Sequence, residues 1–291
     1  MMKRSIQEAL RWASSFLNQY GRDANVGEIL LRDRLQVDRT ELLTRLQDPL
    51  DIADDDWLEE KVRDHVMKGI PVQHITGYEW FYGRPFTVSP DVLIPRPETE
   101  ELVAGTLRRA QHMFPQRSTH VCDIGTGSGI LAVTLALEHP EWYVSAVDIS
   151  HEALDVARKN AANLGANIAF YHGNLLEPLL LTGHQVNVFI CNPPYIPDPD
   201  MLSLDDVVKD HDPAIALAGG EDGLSMYRRI IADLPKVLMD KALVAFEIGS
   251  GQGMSIKNML VDVFGANARV EIETDINQKE RMVFAIIHNN K

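Results

Sequence analysis

The residues with the most evident chemistry are Asn192-Pro193-Pro194-Tyr195, directly behind the apolar run 186–191. That run reads as a strand, so the tetrapeptide falls at a strand's carboxyl end, where open α/β sheets bind ligands. Two successive prolines fix φ and remove two N–H donors. What remains are acceptors, the Asn192 side-chain oxygen and the Pro193 carbonyl. Held rigidly, they can grip both protons of an NH₂ group while the Tyr195 ring packs on the planar group behind it. Such an arrangement suits an amide or aromatic amine nitrogen, a poor nucleophile because its lone pair is delocalised. Acceptors aimed at its protons stabilise the positive charge that grows as it attacks an electrophilic methyl. Holding nitrogen and carbon in line adds rate through proximity. No strong general base is needed at first, since the proton can leave after transfer. The plain alternative is a proline-rich turn without chemistry.

A second constellation is Asp123-Ile124-Gly125-Thr126-Gly127-Ser128-Gly129, which follows a short apolar strand and opens a helix. Glycines there allow a tight turn and a close backbone approach to a ligand. A dinucleotide fingerprint needs glycine at 130, where this chain has Ile130. The loop instead resembles the first motif of adenosylmethionine-dependent methyltransferases, where it passes beside the amino-acid part of the cofactor. Asp148 ends the next strand, and a carboxylate there can accept both ribose hydroxyl protons for either cofactor class. Its alternative role is to cap the following helix. Asn174 follows the third strand. In many such methyltransferases an Asp there bonds the adenine amino group, and the Asn carbonyl can accept the same bond. A simple loop asparagine is the alternative.

These residues need elements to hold them. From about residue 119, strands at 121–124, 143–147, 168–171, 186–191, 243–248, 269–274 and 282–288 alternate with helices at 130–137, 152–163, 223–239 and 255–264. The alternation implies an α/β, Rossmann-like, doubly wound and mostly parallel seven-stranded sheet, with the last two strands antiparallel. A further helix begins near Pro97. Ahead of it, 74–95 mixes aromatic and β-branched residues with Gly and Pro and reads as a β-hairpin. Residues 1–70 carry helical spacing, with Ile6, Leu10, Ala13, Leu17 and Tyr20 on one stripe, and with Asp38 or Thr40 capping a third helix. The expected division is a helical bundle over 1–72, a bridging hairpin over 73–96 and a sheet domain over 97–291.

Composition narrows the function classes. The 291 residues are 45% hydrophobic and 24% charged, ordinary for a soluble globular chain. The net charge is −14, with 11 basic against 14 acidic residues over 1–75 and 17 against 28 over 76–291. Neither part is a basic arm that would coat nucleic-acid backbone. Cys122 and Cys191 are too few for a disulfide framework or a four-thiolate metal site, and read as buried free thiols in a reducing compartment. The ten histidines show no paired metal-ligand spacing, so no metal is expected. Asp205, Asp206, Asp210 and Asp212 read as a solvated acidic loop. With no signal-peptide core and no membrane-length apolar run, the expectation is a cytoplasmic protein without direct nucleic-acid or membrane partners.

The motif Asn-Pro-Pro-Tyr on such a fold is shared by enzymes that methylate DNA adenine and by those that methylate protein glutamine. Three further stretches choose between them: Phe81-Tyr82-Gly83-Arg84-Pro85-Phe86, then 92–100 (VLIPRPETE), then Pro213-Ala214-Ile215-Ala216-Leu217 with Gly220-Glu221-Asp222-Gly223-Leu224 and Tyr227-Arg228. With them the chain resembles the release-factor glutamine methyltransferase family, PrmC/HemK, over nearly its whole length. The resemblance implies a class I methyltransferase using S-adenosyl-L-methionine. It implies methyl transfer to the side-chain nitrogen of the glutamine in the Gly-Gly-Gln loop of class I peptide-chain release factors. It assigns Gly125, Thr126, Gly127, Ser128, Gly129, Asp148, Asn174 and Asn192 to the cofactor. By the same resemblance, Asn192, Pro193, Pro194 and Tyr195 would form the substrate site, with Asn192, Pro193 and Tyr195 catalytic. Glu98 and Thr99 would border the cofactor pocket, and the hairpin and helical domain would contact the release factor. A DNA adenine-N6 methyltransferase is the alternative.

Overall fold

The computed structural model describes residues 3–115 and 118–288. The chain divides into two compact units. One runs to Tyr78 and adds Asp205–His211; the other holds Glu79–Leu204 and continues from Asp212.

The first unit is helical: α1 (Ile6–Gln19), α2 (Val26–Leu35), α3 (Arg39–Thr44), α4 (Ile52–Lys68) and α5 (Val72–Thr76). Ser5 and Glu8 close a capping box at the start of α1, each side chain taking the other's backbone N–H. Asp38, not Thr40, caps α3 through the Glu41 N–H. The stripe Ile6, Ala13 and Leu17 closes on Leu30, Leu31, Leu58 and Val62. Gly69 ends α4 in the left-handed region at φ +68. The helical part does not stop there: Pro71 stands at the N-cap of the five-residue α5.

The remaining elements follow in chain order. Strands β1 (Tyr78–Phe81) and β2 (Arg84–Thr87) pair as a hairpin, whose turn residues Tyr82 and Gly83 both have positive φ. Then come α6 (Glu98–Met113), β3 (His120–Ile124), α7 (Ile130–Glu138), β4 (Tyr143–Asp148) and α8 (His151–Leu164). Next are β5 (Ile168–His172), α9 (Glu177–Thr182), β6 (Val186–Cys191), a 3₁₀ turn (Asp198–Ser203) and α10 (Asp206–Lys209). The chain ends through α11 (Ala214–Leu217), α12 (Ser225–Val237), β7 (Leu238–Glu247), α13 (Gly253–Phe264), β8 (Ala268–Thr274) and β9 (Glu280–His288).

Seven strands form one sheet in the order β5-β4-β3-β6-β7-β9-β8, parallel except for the antiparallel β9. Leu102, Leu107, Leu131 and Leu135 of α6 and α7 cover one face. Ile230, Leu234, Ile256 and Leu260 of α12 and α13 cover the other. Burial on both faces explains why β3, β6 and β7 read as continuous apolar runs. The chain winds outward from β3 and returns to β6 beside it. Their carboxyl ends therefore form the topological switch point, and both constellations singled out above lie there.

Some elements differ from expectation. Strand β7 begins at Leu238 rather than 243, because a register shift against β6 lets the polar Asp240 and Lys241 bulge out. The short α9 was not anticipated. The acidic stretch is not simply solvated: Arg22 donates two bonds to Asp206 at 2.9 and 2.6 Å, so α10 belongs with the first unit. Asp212 is buried and pairs with Arg96 at 2.8 Å. Each of these carboxylates is matched by an arginine remote in sequence. Both cysteines are buried and free, and burial pushes the Cys122 thiol up to about 12. Among the described residues no cluster of three or more His, Cys, Asp or Glu is placed to hold a metal, and no helix is long and apolar enough to cross a membrane.

Candidate active site

The glycine loop is built by its own backbone. The Gly125 and Thr126 N–H groups both donate to the Val147 carbonyl, and Gly129 N–H donates to Thr126. Gly125 and Gly127 have positive φ and open space where a side chain would project. Gly129 serves packing instead: a Cβ there would stand 3.1 Å from Ala157 of α8. Asp148 accepts the Gly127 N–H at 2.8 Å on one oxygen and the Ser150 N–H at 2.9 Å on the other. The cap of α8 is Ser150, whose hydroxyl accepts the Ala153 N–H, so Asp148 does not have that role. Asn160 of α8 holds the loop from behind, donating to the Ser128 and Thr87 carbonyls and accepting the Thr87 N–H.

Asp123 opens the loop segment at the end of β3. It is fully buried; Oδ2 accepts from Thr126 Oγ1 at 2.6 Å and from the Ala132 N–H at 3.3 Å. Among the described residues its Oδ1 has no hydrogen-bond partner. Burial raises this carboxyl to about 7 against the hydrogen bonds that lower it. A carboxyl raised in the folded state from about 4 in the unfolded chain contributes stability below pH ~4 and loses it as pH rises toward 7. Thermal melting of the wild type between pH 5 and 8 should show such a decline. Asp123→Asn should flatten the part due to this group, and an unchanged slope would reject the assignment.

The tetrapeptide is cradled by the loop that follows α11. Ile196 N–H donates to the Leu217 carbonyl and Gly219 N–H to the Ile196 carbonyl. A Cβ on Gly223 would stand 2.3 Å from the Tyr195 carbonyl oxygen, and Gly223 has φ +74. Gln252 donates to that same carbonyl at 2.9 Å and accepts the Gly249 N–H. Burial pushes the Tyr195 hydroxyl up to about 12, so it stays protonated. Glu247 ends β7 beside Asn192, buried and hydrogen-bonded to Thr99 Oγ1 at 2.7 Å, and the Asn192 side chain favours its charged form.

A cavity of about 280 Å³ brings Gly125, Gly127, Asp148, Asn174, Asn192 and Pro194 together. A smaller cleft on the other side of the loop adds Thr126, Ser128 and Thr99. Pro193, Tyr195, Gly129 and Glu98 line neither of these two spaces. The Asn174 carbonyl oxygen accepts from Arg229 at 3.0 Å, so one of its two lone pairs is already engaged. Sequence reasoning gave Arg229 no place at the cofactor cavity and did not single out Glu247. A carboxylate one step past an apolar run, at the carboxyl end of a central strand, was the signal for Glu247.

Two family models match the chain: the PrmC N-terminal domain over residues 8–77 and the Methyltransferase small domain over 100–204. Over 280 residues it is 51% identical to the release factor glutamine methyltransferase of Bacillus cereus, covering 96% of this chain and 98% of that one. The chain belongs to the release factor glutamine methyltransferase family. The Bacillus subtilis member is 47% identical over 290 residues, 99% of this chain and all of that one. A methyltransferase of Pyrococcus furiosus, 15% identical, superposes with a TM-score of 0.51 over 71% of this chain and 90% of that one, a likeness of fold alone. In this member of the release factor glutamine methyltransferase family, segments that carried the sequence resemblance meet at the cleft. Arg96 and the Ile94 N–H, from 92–100, both donate to Asp212, which leads into Pro213-Ala214-Ile215.

Proposed function

We propose that this chain transfers the methyl group of S-adenosyl-L-methionine to the amide nitrogen N5 of the glutamine in the Gly-Gly-Gln loop of class I peptide-chain release factors. The observation that carries the reading is Asn192 opening into the same cavity as Gly125, Gly127 and Asp148, in a chain of this family. The donor set fits the cofactor. The partnerless Asp123 Oδ1 suits an ammonium group, and Gly125 and Gly127, which line the cavity, have open space where a side chain would project. Asp148 keeps lone pairs for ribose hydroxyls, and Asn174 and Arg229 present polar groups for the adenine edge. When bound, S-adenosyl-L-methionine supplies an electrophilic sulfonium methyl.

The chain's own residues do the rest. Asn192 Oδ1 and the Pro193 carbonyl accept the two amide protons, and the Tyr195 ring supports the amide plane. As the N–C bond forms and the S–C bond breaks, positive charge gathers on nitrogen and those acceptors stabilise it. One N–H proton then leaves to water. The helical domain 1–72 and the hairpin segment 73–96 recruit the release factor, and 97–291 is catalytic. The test is mass spectrometry of a class I release factor incubated with the protein and labelled cofactor, with duplex DNA in a parallel arm. One added methyl on the Gly-Gly-Gln glutamine is expected. Label in DNA adenine, with none on the factor, would overturn the reading.

Asp148→Ala should weaken cofactor binding on the order of 10²-fold, the loss of two hydrogen bonds to a charged acceptor. Calorimetric titration with S-adenosyl-L-methionine measures it. An unchanged dissociation constant would remove Asp148 from the cofactor site.

A further inference from the structure

The tetrapeptide needs one thing it does not supply itself. The ends of the Asn192 amide are nearly the same shape, yet only the oxygen can accept a substrate proton. Something must decide which end faces the cavity. Glu247 lies next to Asn192 because β6 and β7 pair Cys191 with Phe246, one position earlier on both strands. Its carboxyl is buried, with Oε2 taken by Thr99 Oγ1 at 2.7 Å, and the neighbouring Asn192 side chain favours its charged form. Its main chain is fixed too, since Tyr227 donates to the Glu247 carbonyl at 2.7 Å. We propose that Glu247 is a positioning residue that, as a carboxylate, holds Asn192 Nδ2 and so turns Asn192 Oδ1 toward the substrate amide.

The chemistry is one-sided. An ionised carboxylate only accepts hydrogen bonds, so the Asn192 atom facing it is the NH₂ nitrogen. A protonated Glu247 is a donor as well and can take the Asn192 oxygen, which reverses the amide. The group is poised for such a change, because burial raises its proton affinity to about 7. Every element around it contributes. Arg281 of β9, itself paired with Asp275, favours the charged form, and Glu98 of α6 opposes it. Tyr195 and Tyr227 stay protonated and Cys191 stays a thiol at neutral pH, so none of them adds charge. Activity should therefore rise with pH through a midpoint near 7 as Glu247 ionises.

This inference rests on the methyl-transfer reading, and its test keeps the two apart. Glu247→Gln imitates the protonated residue in a volume that fits. The expected result is a fall in kcat of at least 10-fold, with the cofactor dissociation constant and melting temperature at pH 8 no worse than wild type. The acid limb near pH 7 should vanish from its profile. The Asn192 side-chain ¹⁵N resonance should titrate near pH 7 in the wild type and not in the variant, a readout independent of turnover. Wild-type kcat with an intact acid limb in Glu247→Gln, or no titration of the Asn192 amide, would overturn the positioning role alone. Absence of methyl transfer by the wild-type protein would overturn both readings.

Discussion

An Asn192→Ala enzyme is expected to methylate its substrate on the order of 10²–10³-fold more slowly than wild type, the usual loss when one preorganised charge-stabilising contact is removed. The loss should appear in kcat, because the contact strengthens only as charge develops on nitrogen. Affinity for the protein substrate should change little, since a macromolecular partner binds over an area far larger than one side chain. The Pro193 carbonyl remains, so some transfer persists. Single-turnover kinetics with labelled cofactor separates the two parameters. A kcat within threefold of wild type would remove Asn192 from the catalytic group, and an equal loss in binding would make it a recognition residue instead. Alanine also takes the Asn192 side chain from beside the buried Glu247, so the two variants perturb one pair of neighbours and their effects should not add.

How much of this could be read from the sequence follows from where each interaction closes. The glycine loop and tetrapeptide were legible because their work is local: positive φ at Gly125 and Gly127, and two prolines behind a strand. The sheet was legible because burial on both faces writes apolar runs directly into the chain. Asp148 was placed correctly at the end of β4 but carried two readings, and Ser150, by capping α8 itself, removes the cap reading. Glu247 was passed over because its partners Thr99 and Asn192 lie 148 and 55 positions away, and no period or motif joins them. The acidic stretch misled for the same reason: Asp206 is matched by Arg22, 184 residues earlier, and Asp212 by Arg96, 116 residues earlier. Pairwise charge complementarity at such separations leaves no trace in composition. It also ties the resemblance motifs into one structural account, since 92–100 and 213–217 are joined at the cleft through Asp212.

Gly223→Ala should be nearly as damaging to activity as loss of Asn192, although Gly223 touches no substrate. Its Cβ would stand 2.3 Å from the Tyr195 carbonyl oxygen and 2.5 Å from Gln252 Nε2, which donates to that same carbonyl. Backbone cannot yield as a flexible side chain can, so the tetrapeptide must shift. A displacement near 1 Å in a positioning segment costs on the order of 10²-fold in rate. The positive φ adds about 1 kcal/mol of backbone strain and the overlap about 1–3 kcal/mol, so the melting temperature should fall as well. Gly183→Ala separates the two contributions. It has φ +69 with nothing near its Cβ, and it caps α9 away from the cleft. That variant should lose about 1 kcal/mol of stability and keep its kcat. Equal rates in the two variants would mean that the 219–223 loop only supports the fold. A rate loss confined to Gly223→Ala, measured well below both melting temperatures, would show that this loop sets the position of Asn192-Pro193-Pro194-Tyr195.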